Sequence, residues 1–168
     1  MSDAAEVIAL LDARGLSIAV AESLTGGALA AELVRVPGAS RVFRGGIVSY
    51  STELKASLLG VDSMLLAEHG PVHPEVARQM ALGVRRACAV AGADADVAIA
   101  TTGVAGPGPQ DGHPAGEVYV ALAIGDSITT LRLSLQGDRE TIRSGVVTES
   151  LAQLKKLLQS ESSAPSFG

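Results

Sequence analysis

Three polar turns hold the residues with which this chain could do covalent chemistry. The first is "ESLTGG", residues 22–27, where Ser23 follows an apolar run and precedes a glycine pair. A serine at a tight strand-to-helix junction can present its hydroxyl to a ligand. The backbone N–H groups of Thr25, Gly26 and Gly27 would point into the same space and could bind a phosphate or stabilise an oxyanion. The same residues admit a plainer reading, in which Ser23 or Thr25 caps the next helix and the glycines permit close packing. Spacing alone leaves both open. Neither a G-x-G-x-x-G nor a G-x-x-x-x-G-K-[ST] phosphate loop is present.

A serine nucleophile needs a base. The three histidines are poor candidates. His69 precedes Gly70 at a helix end, His73 stands just before the helix start at Pro74, and His113 lies beside Asp111 in a loop without metal-ligand spacing. Lys55 is better placed. Tyr50 ends a predicted strand and Lys55 follows about one helical turn later, so both can face one crevice. A partly desolvated lysine loses pKa and can accept a proton from serine, while Tyr50 could relay that proton or orient the ammonium. Each also has an ordinary reading, as a solvated helix lysine and a strand-end aromatic. Arg139 and Arg143, one helical turn apart, could grip an anion or form a solvated basic face.

These residues need elements to position them. "AAEVIALLDARG" has helical apolar spacing and ends at Gly15. "LSIAVAES" is a short apolar run of the kind covered on both faces of a sheet. A helix is expected from Thr25 or Gly26 to Val36, where Pro37 stops it. A strand follows over 42–50, then a helix starting at Ser51 or Thr52 with Glu53 in its first turn. A short helix in "DSMLLAEHG" leads to a long one from Pro74 to Gly92. "ADVAIATTG", residues 95–103, is another buried strand, and "VAGPGPQDGHPAG" is an irregular loop. "EVYVALAIGDSITTLRLSL" reads as a hairpin with a "GDS" turn, and the last helix is capped by Asp138. The expected architecture is α/β: a three-layer α/β/α sandwich around a mixed, mostly parallel sheet of about five strands. Ligands of such sheets sit at the carboxyl ends of strands, where "ESLTGG", "YSTELK" and "TTGVAGPGPQ" would meet if their strands point the same way.

The 168 residues fit one domain, taken as 1–160 with a flexible tail at 161–168. Hydrophobic residues make up 47% and charged ones 18%, so the chain can bury a core. Aromatics at 2% and a net charge of −5 argue against a nucleic-acid binder, which would need stacking platforms or a basic face. Cys88 is the single cysteine, so no internal disulfide forms, and its position in a helical pattern reads as a small buried hydrophobe. The start is unlike a signal peptide, and no apolar run reaches membrane-spanning length. The expectation is a cytoplasmic protein with no membrane partner. A homodimer is the expected assembly, since small symmetric oligomers are common.

Taken together, "AESLTGG", "FRGGIVSYSTELKASLLGV", "HGPVHPEVARQMA", "TTGVAGPGPQDGHPAGEVYVAL" and "GDRETIR" resemble, in this order, the CinA C-terminal-domain family. The resemblance runs from about residue 5 to 158. The family's catalytic members are nicotinamide mononucleotide deamidases, and the stand-alone form is the one resembled. The resemblance implies hydrolysis of nicotinamide mononucleotide to nicotinate mononucleotide and ammonia in pyridine nucleotide recycling. It implies Ser23 as nucleophile, Lys55 as general base and Tyr50 as third member of the site. The Thr25, Gly26 and Gly27 amides would supply oxyanion or phosphate contacts, and Thr102, Gly103, Gly106 and Arg139 would line the nucleotide pocket. No metal or organic cofactor is implied. The alternative is a non-catalytic nucleotide-binding or regulatory module of the competence or damage-inducible type.

Overall fold

The computed structural model describes residues 1–162. Its strands share one sequence device, the alternation of a large aliphatic residue with alanine: Ile18-Ala19-Val20-Ala21, Val97-Ala98-Ile99-Ala100 and Val120-Ala121-Leu122-Ala123. Because neighbouring side chains on a strand point to opposite faces, this alternation makes two unlike faces. The large residues meet one helical layer formed by α1 (Asp3–Arg14), α2 (Ala28–Val34) and α6 (Arg139–Ser162). The alanines meet α5 (Pro74–Ala87), which packs through Val76, Ala77, Met80 and Val84. A sheet face paved with alanine lets a helix settle close to it.

The sheet has five strands in the order β2-β1-β3-β4-β5. They are β1 (Ile18–Glu22), β2 (Phe43–Val48), β3 (Val97–Gly103), β4 (Glu117–Ile124) and β5 (Ser127–Ser134). β1 pairs in parallel with β2 and β3, whereas β4 is antiparallel to both of its neighbours. Only β4 runs against the rest, so the expected mixed, mostly parallel α/β/α sandwich is present. The turns after β1, β2 and β3 consequently leave the sheet at one edge.

Two helices follow β2: α3 (Thr52–Leu59), beginning after Ser51, and the short α4 (Ser63–His69). α6 is capped as expected, with Asp138 Oδ1 accepting the Thr141 amide at 2.8 Å. Several boundaries differ from expectation. α5 ends at Ala87 and not at Gly92, because the chain turns to form a Val90–Ala93 bridge before β3. α2 ends at Val34, ahead of Pro37, and starts later than expected for a reason that lies in the candidate site. α6 continues to Ser162, past the start assigned to the tail, and residues 163–168 lie outside those described. Among the described residues, no helix is long and apolar enough to cross a membrane.

Candidate functional site

The sheet positions Ser23 before any side chain does. Glu22 ends β1 between Val48 of β2 and Thr101 of β3. The Ser49 amide donates to the Glu22 carbonyl at 2.9 Å, and the Ser23 amide donates to the Thr101 carbonyl at 3.0 Å. Ser23 is therefore pinned at the carboxyl edge of a central strand. Lys55 reaches the same edge from the first turns of α3. Its ammonium nitrogen lies 3.0 Å from Ser23 Oγ and 2.6 Å from the Ser49 carbonyl. Both residues are buried, Lys55 with only 1% of its surface exposed. Burial disfavours the ammonium and pulls the Lys55 pKa down to about 8, against a smaller opposing pull from Glu53.

A cavity of about 260 Å³ opens over this pair. All three expected turns contribute: Ser23 from the first, Tyr50 and Lys55 from the second, and Thr102, Gly103 and Gly106 from the third. Arg139, at the start of α6, closes one side. Pro71 and Val72, from the segment between α4 and α5, add an apolar wall, and the Thr102 hydroxyl donates to the Pro71 carbonyl at 2.7 Å. The charged side chains lining the cavity are Lys55 and Arg139, both cations.

Tyr50 stands apart from the serine and lysine. Its hydroxyl accepts a hydrogen bond from Arg139 Nη2 at 2.7 Å, and 58% of its surface is exposed. Among the described residues it makes no hydrogen bond to Ser23 or Lys55. Arg139 also donates from Nη1 to the Gly106 carbonyl at 2.8 Å, so one guanidinium ties the second turn to the third.

A model of the CinA C-terminal domain matches residues 2–158. The chain belongs to the CinA C-terminal domain family. A CinA-like protein of Frankia casuarinae is 49% identical over 152 residues, 90% of this chain and 34% of the relative. A putative competence-damage inducible protein of Geobacillus kaustophilus is 46% identical over 134 residues, 79% of this chain and 31% of the relative. The chain thus spans about a third of the length of these curated relatives. Among solved structures, a competence-damaged protein (CinA) superfamily protein of Klebsiella pneumoniae matches with a TM-score of 0.87 and 36% identity, covering 94% of this chain and 96% of that one. A competence or damage-inducible protein of Enterobacter asburiae matches with a TM-score of 0.88 and 30% identity, covering 93% and 96%.

In this CinA domain the glycine pair after Ser23 does not face the cavity, which corrects the expected role of those amides. The Gly26 amide donates to the Ser23 carbonyl at 3.1 Å, and the Gly27 amide donates to Glu22 Oε2 at 3.0 Å. Both glycines have positive φ, 59° and 100°, which lets the chain reverse tightly enough to bring those donors back. Thr25 neither caps α2 nor meets the cavity. Its side chain is buried, with its Oγ1 2.8 Å from that of Thr101.

The cap is Glu22. Its Oε2 accepts from the Gly27 and Leu29 amides at 3.0 and 3.1 Å, and its Oε1 accepts from Ala30 at 2.8 Å. α2 begins at Ala28 because this carboxylate reaches its first turn from behind. Arg143 is corrected as well. It donates from Nε to the Leu24 carbonyl at 3.0 Å and from Nη2 to the Thr25 carbonyl at 2.9 Å, and its Nη1 pairs with Glu140 at 2.7 Å, so its guanidinium is spent on the serine turn and on its own helix. Sequence reasoning missed both roles. The one signal available was an acid at the end of an otherwise apolar strand.

The remaining polar candidates are structural. His73 Nδ1 accepts the Glu75 amide at 3.1 Å at the head of α5. His113 Nδ1 lies 3.1 Å from Glu117, whose other oxygen takes Tyr119 and Arg132. Cys88 is half-buried after α5, and burial pushes its thiol pKa up.

Proposed function

We propose that this CinA domain is a serine-lysine amidohydrolase acting on the carboxamide of nicotinamide mononucleotide. The observation that carries the reading is Lys55 Nζ, buried and 3.0 Å from Ser23 Oγ, with a pKa lowered to about 8. A base poised near neutrality and within hydrogen-bond reach of its nucleophile is what serine acyl transfer requires. The Ser49 carbonyl holds one Lys55 N–H and leaves the nitrogen directed at Ser23.

In the proposed cycle the neutral Lys55 amine takes the Ser23 proton as Oγ bonds to the carboxamide carbon. Lys55 then passes that proton to the amide nitrogen, the C–N bond breaks, and ammonia leaves an acyl-serine ester. Water attacks the ester while Lys55 takes its proton and returns it to Ser23. The products are a carboxylate and ammonium, and no electron leaves or enters the system. With the Gly26 and Gly27 amides engaged, the Leu24 amide becomes the candidate oxyanion donor; it makes no hydrogen bond among the described residues, and Leu24 lines the cavity.

The substrate class rests on the family resemblance together with the charge of the cavity. One lysine and one arginine side chain, and among the described residues no carboxylate, line it, which favours an anionic ligand. The apolar wall at Pro71 and Val72 suits a flat ring. The test is ammonia release from nicotinamide mononucleotide by the wild type, with Ser23→Ala and Lys55→Met beside it. The reading expects turnover in the wild type and a loss of about 10³-fold or more in each variant. Full activity in Ser23→Ala would exclude it. The names of the relatives favour the second reading, a competence- or damage-inducible regulatory module. In that case nucleotide binding would persist in both variants and no ammonia would appear in any of them.

A further inference from the structure

We propose that Glu22 is a positioning residue whose carboxylate locks the turn that aims Ser23 at the substrate; this rests on the serine-lysine reading. By the alternation of β1, Glu22 falls on the face of Ile18 and Val20, a place the rest of the strand fills with large aliphatic side chains. An acid is costly there, since only 1% of its surface is exposed, unless donors surround it. They do. Three amides from the head of α2 converge on its two oxygens. Charge-assisted bonds of this kind are the stronger ones, and the first turn of a helix favours an anion.

The bond from the Gly27 amide closes a loop. It joins the two ends of "ESLTGG", so Ser23 is enclosed between a strand end and a helix start that the same carboxylate holds together. Inside that loop the Ser23 carbonyl accepts the Gly26 amide, and Arg143 grips the Leu24 and Thr25 carbonyls from outside. A phenylalanine or leucine in place of Glu22 would fill the space but would leave the α2 amides without their acceptor.

Glu22→Gln is nearly isosteric and replaces one accepting oxygen with a donor that must face amide N–H groups. Two readouts are made on wild type and variant: turnover of nicotinamide mononucleotide, and the rate at which a small fluorophosphonate labels Ser23, which depends on serine geometry and not on the substrate's identity. Circular dichroism and melting establish that the variant is folded. The proposal expects folded Glu22→Gln to lose about 100-fold in kcat and in labelling rate, as a misplacement of about 1 Å can, with KM within about threefold of wild type. The limb of the rate-pH profile set by Lys55 should stay where the wild type has it. Wild-type kcat and labelling in the folded variant would overturn the proposal, as would a loss confined to KM. If Glu22→Gln does not fold, Glu22→Asp decides, because it keeps the charge but draws the oxygens back from the amides. A reduced labelling rate there supports the role, and a wild-type rate assigns Glu22 to folding alone. A wild type that is labelled but does not turn over nicotinamide mononucleotide disposes of the substrate and leaves the labelling comparison intact. A wild type that does neither removes the serine-lysine reading, and the proposal with it.

Discussion

Lys55 Nζ lies 3.0 Å from Ser23 Oγ, although 32 residues separate them in the chain. Parallel pairing of β1 with β2 creates this contact, because it brings the ends of both strands to one edge and starts α3 beside the serine turn. The lysine enters a space it would ordinarily avoid. Among the described residues it is the largest fully buried side chain, and its hydrogen-bond acceptors there, Ser23 and Ser49, are neutral. No carboxylate among the described residues pairs with it directly, so burial dominates and the pKa falls.

The rate of the proposed reaction should follow the neutral form of Lys55. Its pKa of about 8 predicts that kcat/KM rises with pH through that region and levels above it, provided the free enzyme is the species that titrates. A pH-rate profile on wild type checks this. An ascending limb near 10.5, the ordinary lysine value, would mean that Lys55 is not desolvated in solution.

Folding stability should carry the same signature with a defined sign. The folded pKa lies below the unfolded one, so between about 8 and 10.5 the unfolded chain binds more protons and stability contributed by this residue rises with pH. Below about 8 the full cost of burying the ammonium is present. Across the window the wild type should gain about 3 kcal/mol relative to Lys55→Met, measured by denaturant unfolding at several pH values. A stability difference that does not change with pH would contradict the burial.

Tyr50→Phe should act chiefly on substrate binding. The hydroxyl touches Arg139 and not the Ser23–Lys55 pair, so its removal loosens the guanidinium that faces the cavity. One charge-assisted hydrogen bond corresponds to about a tenfold rise in KM. Steady-state kinetics separates this from a proton-relay role, in which kcat would carry the loss. The further check is Arg139→Ala: if Tyr50 acts through Arg139, the two losses will be less than additive in the double variant.

Gly83→Ala should destabilise the fold by way of the helix that carries Lys55. A Cβ at Gly83 in α5 would lie 1.9 Å from the Leu59 carbonyl oxygen at the end of α3. Backbone, not a flexible side chain, must move to admit it. Overpacking of this kind costs about 1–3 kcal/mol and more when backbone resists. Thermal unfolding measures the loss, and kcat should fall as α3 shifts.

The sequence by itself determined the layers of this protein and the place of its candidate site. Large-to-alanine alternation in β1, β3 and β4 is local, as are Pro74 at the head of α5 and Asp138 at the head of α6, and these fix elements without reference to distant residues. Ser23, Tyr50 and Lys55 were legible as candidates because each stands in a turn that directly follows a strand or opens the helix after it. What only the tertiary structure decided is how each polar group is used. Arg143 finds its acceptors 119 and 118 residues away in the serine turn, and no spacing rule encodes such a contact. Glu22 looked like the end of a strand, yet its side chain serves a helix that begins six residues later. Thr25, Gly26 and Gly27 looked like free donors, yet the turn folds back and engages the two glycine amides itself. The pKa of Lys55 belongs to the same class. Burial is a property of the packed ensemble, and only the packing of α3 against α5, with the Ser23 and Ser49 turns closing on the ammonium, removes that lysine from water.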